Sequence, residues 1–312
     1  MRISTSLGER KQTIKKEVNS NVFLVFEGDK TEPLYFDEIS RRSKELGFCE
    51  NYVLKNIKRG CYETGVSNPK KILEIIFKEL ENAKLEVYEL NNICDSLISN
   101  MFDCLLLPKK YYKDYFDKLL ESLKEFMPQD AIHKEDIVNN SSKISSALTK
   151  IFDESLVGLD IIEVIKESNF TYNEEIDYIC LIVDRDKNSF TSKQYRYVKS
   201  RCEIENFKFC VTNPCFEFWL MLHFSNCDDI DEEKIKQNKI NHKLEKTFCE
   251  IELDKLIPDE YNKNCFRVDT CIDKLDVAIK NSKRYETNID LLKDHIGSNL
   301  FELFEFLRNE ND

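Results

Sequence analysis

The sequence predicts an α/β fold: a mostly parallel sheet flanked by helices, with a large helical insertion and a helical C-terminal extension. Three observations predict it. Two apolar runs, NVFLVFEG at 21–28 and IDYICLIVDRD at 176–186, are continuous rather than alternating, the mark of strands buried on both faces. A helix-patterned stretch follows each, the alternation from which parallel sheets are built. Between 61 and 170 the pattern is helical, and no persuasive strand interrupts it. The chain thus divides into a first part of the α/β domain with an N-terminal arm (1–60), a helical insertion (61–170), a second part of that domain (171–226) and a helical C-terminal region (227–312).

Residues 1–18 form a polar, slightly basic arm. The first strand then runs abruptly into Glu27-Gly28-Asp29. A helix follows from Thr31, with Leu34, Phe36, Ile39 and Leu46 at roughly helical spacing and Gly47 as its stop. Tyr52–Ile57 is a second strand, followed by Lys58 and Arg59. In the insertion, 69–90, 109–126, 142–156 and 159–168 have helical periodicity, with Pro69, Pro108 and Pro128 at boundaries. After the strand at 176–186 come a helix at 192–205 and a strand at 207–212. Asn213-Pro214 then opens the apolar helix CFEFWLMLHF, with Asn213 as N-cap and Pro214 at the first helical position. The C-terminal region is polar and helical and ends in the amphipathic segment GSNLFELFEFLRNE.

Composition narrows the class. With 41% hydrophobic and 33% charged residues the chain is globular, and its 7 Gly and 6 Pro leave little room for long linkers. No apolar run reaches the ~18 residues that span a bilayer, so no membrane association is expected. MRISTSLGERKQTIKKEV lacks the apolar segment of a secretory signal. The 12 cysteines are scattered singly, with no CxxC pair, which reads as buried thiols in a reducing cytoplasm. The formal net charge of −12 argues against nucleic-acid binding unless cations gather locally.

Both buried strands end in carboxylates: Glu27 after the first, Asp184 and Asp186 after the second. Sites in open parallel sheets form beyond the carboxyl ends of strands, so neighbouring strands would bring all three acids together. Residues two apart near a strand end project to one side. Unneutralised, such a cluster repels itself and raises a pKa. Mg²⁺ or Mn²⁺ relieves that conflict and supplies Lewis acidity for phosphodiester chemistry. The bland reading is that these acids merely cap strands and turns.

Glu217, inside CFEFWLML, sits one position beyond the Glu of a capping box and needs a buried partner. It is either a fourth member of the metal site or a structural hydrogen-bonded acid. His223, six residues on, reads as a core or capping histidine. Residues 185–208 collect Arg185, Lys187, Lys193, Arg196, Lys199, Arg201 and Lys208 against only three acids. Tyr195 and Tyr197 interleave and could stack on bases. This stretch is either a phosphate-tracking surface, with Arg185, Lys187, Arg196 and Lys199 as ligands, or a solvated helix face.

The segments VFEGDKTEPLYF (25–36), IVDRDKNSF (182–190) and VTNPCFEFWLMLHF (211–224) resemble, in order, three hallmark blocks of the RloB family. That family is associated with bacterial anti-phage and abortive-infection loci and resembles Toprim proteins. The insertion at 61–170 lies outside the resemblance and is long for the family. The final amphipathic segment loosely resembles the family's last helix. The resemblance implies a Toprim-like sheet, with Glu27 as general acid/base near the scissile phosphate and Asp184 and Asp186 holding Mg²⁺. Lys30 would either contact phosphate or pair with Asp29 or Glu32.

The resulting expectation is a metal-dependent nuclease of DNA or RNA, including tRNA, acting as an anti-phage effector. No G-x-x-x-x-G-K-[ST] occurs, so an ATPase would be a separate partner subunit. Homo-oligomerisation is a further partner expectation. One alternative is a non-catalytic Toprim-like regulatory subunit that senses a trigger through its helical insertion. Another is a HAD-type phosphatase, because Asp184-Arg185-Asp186 imitates that family's nucleophile motif. Asn188 departs from the usual Thr or Val of that motif, and Glu27 would have no role in it.

Overall fold

A computed structural model of the chain describes residues 19–28, 30–56, 68–85, 87–105, 107–152, 172–187, 189–224, 230–258 and 268–309. The strands Ser20–Phe26 (β1), Tyr52–Asn56 (β2), Tyr178–Asp184 (β5), Lys208–Asn213 (β6) and Gly297–Ser298 (β9) form one sheet. Its order is β2-β1-β5-β6-β9, with the first four parallel and β9 antiparallel at the edge. The predicted mostly parallel α/β sheet is therefore present.

Continuous apolar strands imply burial on both faces, and β1 shows how. Val22, Leu24 and Phe26 enter one apolar cluster, while Phe23 and Val25 enter another on the opposite face. The first cluster is covered by Thr31–Arg41 (α1), through Tyr35, Phe36 and Ile39, and by Phe216–Met221 (α7). The second is covered by Pro69–Leu85 (α2), through Ile72, Leu73 and Ile76, and by Ser192–Ile204 (α6). Thr191 caps α6 in a capping box with Gln194.

The helical unit has its own core. Leu90–Leu105 (α3), Tyr112–Lys124 (α4) and Lys134–Phe152 (α5) pack Leu90, Ile93, Leu97, Met101, Leu119 and Leu148 into a separate apolar cluster. Two segments predicted for the insertion, 109–126 and 142–156, correspond to α4 and α5. The one at 69–90 is α2, which packs on the sheet rather than inside the insertion. Helix α3 was not anticipated, and 159–168 lies outside the described residues. The expectation of no strand is corrected: Val87–Glu89 (β3) and Ala131–His133 (β4) pair antiparallel. At three residues each they are too short for a period to register.

The C-terminal region is not an appendage. Glu232–Gln237 (α8), Phe248–Leu256 (α9), Asp269–Ile272 (α10), Leu275–Ser282 (α11) and Phe301–Arg308 (α12) complete the same cluster as α1 and α7. Phe304 of α12 stacks against Phe36 and Trp219, with ring centroids 6.0 and 5.6 Å away. Between α8 and α9, Ile240–Asn241 (β7) and Lys246–Thr247 (β8) form a hairpin. Glycine at 297 is required by close approach, since a Cβ there would lie 1.9 Å from the Glu286 carbonyl oxygen. Beyond this short strand, the Asn299 side chain continues the edge pairing of β6. Its Oδ1 accepts from the Val211 N–H at 2.7 Å, and its Nδ2 donates to the Phe209 carbonyl at 2.9 Å.

The helix after β6 starts later than its sequence suggests. Asn213 ends β6, the Asn213–Pro214 peptide is cis, and the N-cap is Cys215. The Asn213 side chain instead donates to the Leu292 carbonyl at 2.6 Å. His223 is a core histidine, 1% exposed, in a buried hydrogen-bond chain. Trp219 Nε1 donates to Tyr35 Oη at 3.2 Å, and Tyr35 Oη lies 3.0 Å from His223 Nε2. His223 Nδ1 faces the Trp219 and Leu220 carbonyls, which fixes it as the protonated nitrogen. Burial pushes this imidazole down to about 4, so it is neutral at pH 7. No helix among the described residues is long and apolar enough to cross a membrane, and the cysteines with described side chains are thiols rather than disulfides.

Candidate active site at the carboxyl edge of the sheet

β1 and β5 are parallel neighbours in the register Phe26↔Ile182, so both end at the same edge. The Glu27 N–H continues the ladder to the Ile182 carbonyl at 3.1 Å. The Glu27 side chain reaches across, and its Oε2 accepts the Asp184 backbone N–H at 3.1 Å. Two acids 157 positions apart are thereby fixed side by side.

Two further acids close on them. Glu217 is 7% exposed in the first turn of α7, at the second helical position rather than the one its sequence suggested. Glu32 is also 7% exposed, in the first turn of α1, and its Oε1 accepts the Gly28 N–H at 3.2 Å. A Cβ on residue 28 would sit 2.1 Å from Glu32 Oε2, so a side chain there would displace the Glu32 carboxylate from its present position. Burial, followed by the charges of Glu32, Glu217 and Glu27, drives the Asp184 carboxyl well above the usual carboxylate range. A hydrogen bond from the Phe216 N–H opposes the rise. Glu32 was read from the sequence only as an ion-pair partner for Lys30. An acid in a first turn ordinarily complements the helix dipole, which conceals a buried site acid.

Asp186 is exposed and lines the same cleft, its Oδ2 accepting from the Ser189 hydroxyl at 3.1 Å. The two aspartates therefore lie at different depths, Asp184 half-buried and Asp186 at the surface. The cleft has a volume of about 1100 Å³. Lys30 and Lys187 are exposed on its lining, and Lys187 Nζ lies 3.4 Å from the Asp294 carbonyl oxygen. Asp29, the other partner weighed for Lys30, lies outside the described residues, as does the Lys58-Arg59 pair.

Of the rest of the basic stretch, Arg185 alone reaches the cleft lining. Arg185 is 2% exposed, and its guanidinium stacks 5.5 Å from the Tyr195 ring centroid and donates to the Phe190 carbonyl. Its side chain braces the loop after β5 from within, at the lining of the cleft. Tyr195 is buried and donates to the Ile289 carbonyl at 2.7 Å, so it offers no face to a base. Arg196 and Lys199 lie outside the cleft lining. Lys199 pairs with Glu203 at 2.8 Å and Asp290 at 3.0 Å. Along α6, the solvated-face reading fits.

Further basic side chains on the lining come from a region the sequence marked only as polar and helical. Lys236 of α8 and Lys239 and His242 of the following hairpin segment line the cleft. The available signal was the local run KIKQNKINHK at 234–243.

Among the described residues, no group of three or more His, Cys, Asp or Glu side chains is arranged to hold a metal ion as it stands. The donor chemistry nevertheless fits a hard cation. Every acid converging on Asp184 is a carboxylate, and Mg²⁺ needs only one or two such ligands beside water and substrate phosphate. The elevated Asp184 carboxyl is the electrostatic demand that such a cation would satisfy.

A family model described as RloB-like protein matches residues 110–307. No curated protein and no solved structure matches the chain. The matched span holds Asp184, Asp186, Glu217 and the cationic hairpin, and begins after Glu27 and Glu32. It also takes in α4 and α5, so the insertion is not wholly foreign to the family.

Proposed function

The chain belongs to the RloB-like family, and from that premise we propose that it is a metal-dependent phosphodiester hydrolase acting on nucleic acid, the effector of an anti-phage defence system. The observation that carries the proposal is the meeting of Glu27, Glu32 and Glu217 around Asp184 at the ends of adjacent parallel strands. This is the layout a Toprim-like domain would use. Asp184 and Glu217 would hold Mg²⁺ or Mn²⁺, with Glu32 beside them and Asp186 at the rim. When bound, such an ion supplies Lewis acidity and offsets phosphodiester charge.

The chain's own groups do the remaining work. Glu27, tethered at one carboxylate oxygen to the Asp184 N–H, is positioned to move a proton at the scissile phosphate. The Arg185 brace and the Gly28–Glu32 hydrogen bond keep the strand-end loops in place. An ATPase, where the system requires one, is a separate partner. The phosphatase alternative leaves unused the Glu27 contact to Asp184, and trapping a phosphoaspartate at Asp184 would be needed to restore it.

The test is purified wild type and Glu27→Gln incubated with plasmid DNA, single-stranded DNA and total tRNA. Wild type is expected to cut at least one in Mg²⁺ or Mn²⁺, and EDTA or Glu27→Gln to stop it. Failure to cut any of them with either metal overturns the proposal. Full biological activity in Asp184→Asn would instead identify a binding subunit.

A further inference from the structure

The cleft has two walls of opposite charge. Its floor carries the carboxylates at the strand ends, and its outer wall is α8 and the β7–β8 hairpin. Lys236, Lys239 and His242 are exposed on that wall. Two other lysines of the same segment are paired locally: Lys234 with Asp231 at 2.8 Å, and Lys246 with Asp254. Lys236, Lys239 and His242 form no ion pair among the described residues. Exposed lysines on the cleft lining with no ion pair among the described residues, in a protein of net charge −12, are placed to meet an external anion.

A second observation comes from across the cleft. Lys187, exposed on the loop after β5, lines the same cleft from the side of the acids. Cations from two separate segments thus border one space, where each would attract an anion. The size of the space also matters. About 1100 Å³, near the roughly 300–1,000 Å³ of pockets that enclose one small ligand, is room for a short stretch of one strand. Ile240, 58% exposed on the same lining, adds an apolar surface for the face of a base.

We infer that the hairpin wall is a second jaw that binds backbone phosphates of a single nucleic-acid strand, through Lys236, Lys239 and His242, and lays that strand over the carboxylates. This rests on the hydrolase reading for what happens to the strand, and deepens it by naming the substrate as unpaired rather than duplex. The acids handle the scissile phosphate, and the jaw holds its neighbours. Phosphate contacts fix register without reading sequence.

The test is fluorescence anisotropy with the full chain in EDTA, so that metal-dependent cutting is absent, using short single strands of DNA and RNA and the matching duplexes over a range of salt. Single strands are expected to bind more tightly than duplexes. Lys236→Gln combined with Lys239→Gln should weaken that binding about tenfold or more. It should also flatten the log–log salt dependence by roughly 1.4, about 0.7 for each lost phosphate contact. Lys234→Gln, a control of equal charge change, should leave both quantities alone, and circular dichroism melts should show all variants folded. The inference is overturned by unchanged affinity and slope in the double variant, an equal loss in Lys234→Gln, preference for duplex, or no binding of any strand. Lysine-dependent binding without wild-type cleavage in Mg²⁺ or Mn²⁺ sinks the hydrolase reading alone. Cleavage that proceeds undiminished in the double variant sinks the jaw alone.

Discussion

The helical unit and the sheet unit bury apolar surface in opposite ways. The core of α3, α4 and α5 is made by residues 90–148, neighbours along the chain. The core on the α7 face of the sheet draws on β1, α1, β5, β6 and every helix from α7 to α12, from Val22 to Leu307. The first can close locally, whereas the second closes only when distant segments meet. Every acid of the candidate site belongs to the second. The geometry of the candidate site is thus a product of long-range closure, built on a core separate from that of the helical unit.

Substitutions can break or sharpen that contrast. The largest effect is expected from Glu27→Gln, which should lower initial cleavage rates by roughly 10²–10⁴-fold while leaving unfolding of the helical unit unchanged. A comparable loss of cleavage from Leu119→Ala would erase the distinction between the units.

Next come the two cores themselves. Phe304→Ala removes a fully buried ring from the sheet unit and should cost about 3–5 kcal/mol; Leu119→Ala, equally buried in the helical unit, should cost about 2–5 kcal/mol. In denaturant titrations, Leu119→Ala should produce an early transition with cleavage retained, and Phe304→Ala a joint loss of structure and cleavage. One shared transition for both would make the two cores a single cooperative unit.

A pH effect of about 3 kcal/mol is expected in the sheet unit alone. The folded state holds His223 near 4, through burial above all, with Lys274 also disfavouring its protonation, whereas the unfolded chain takes up that proton near 6.5. The contribution is complete above about pH 6.5 and is lost as pH falls toward 4. Chemical denaturation at several pH values, followed separately for each unit, checks this.

The smallest effect is the most diagnostic of the acid cluster. Because Asp184 is raised, its ionisation opposes folding as pH climbs from the unfolded carboxylate range through the folded one. Asp184→Asn should therefore gain a few degrees of Tm at pH 7 without divalent ions, a gain that fades toward acid pH. Added Mg²⁺ should raise the Tm of wild type and leave that of the variant unmoved.

Much of the sheet was legible because its signals are local. An unbroken apolar run ending in an acid identifies a strand and the residue it delivers, which located Glu27 and Asp184 together. Glu217 was legible as a carboxylate in an apolar helix that needed company. What escaped depends on which distant faces meet. The amphipathic pattern of α12 shows that it covers something, but not that Phe304 reaches Trp219. Arg185 reads as a surface cation until Phe190 and Tyr195 fold over it. Lys236, Lys239 and His242 lie far along the chain from Glu27, and no local pattern says that a hairpin returns them to it. β9, at two residues, has no period to detect.

Asn299 gives that last strand a meaning in time. A ribosome delivers β1, β5, β6 and all the site acids well before it delivers residues 297–299, and until then the outer edge of β6 lacks its partner there. A prematurely terminated copy would hold every carboxylate named above yet present an open backbone template at Val211, the kind of edge that recruits other strands. The closing asparagine thus covers an edge that a shorter fragment would leave open.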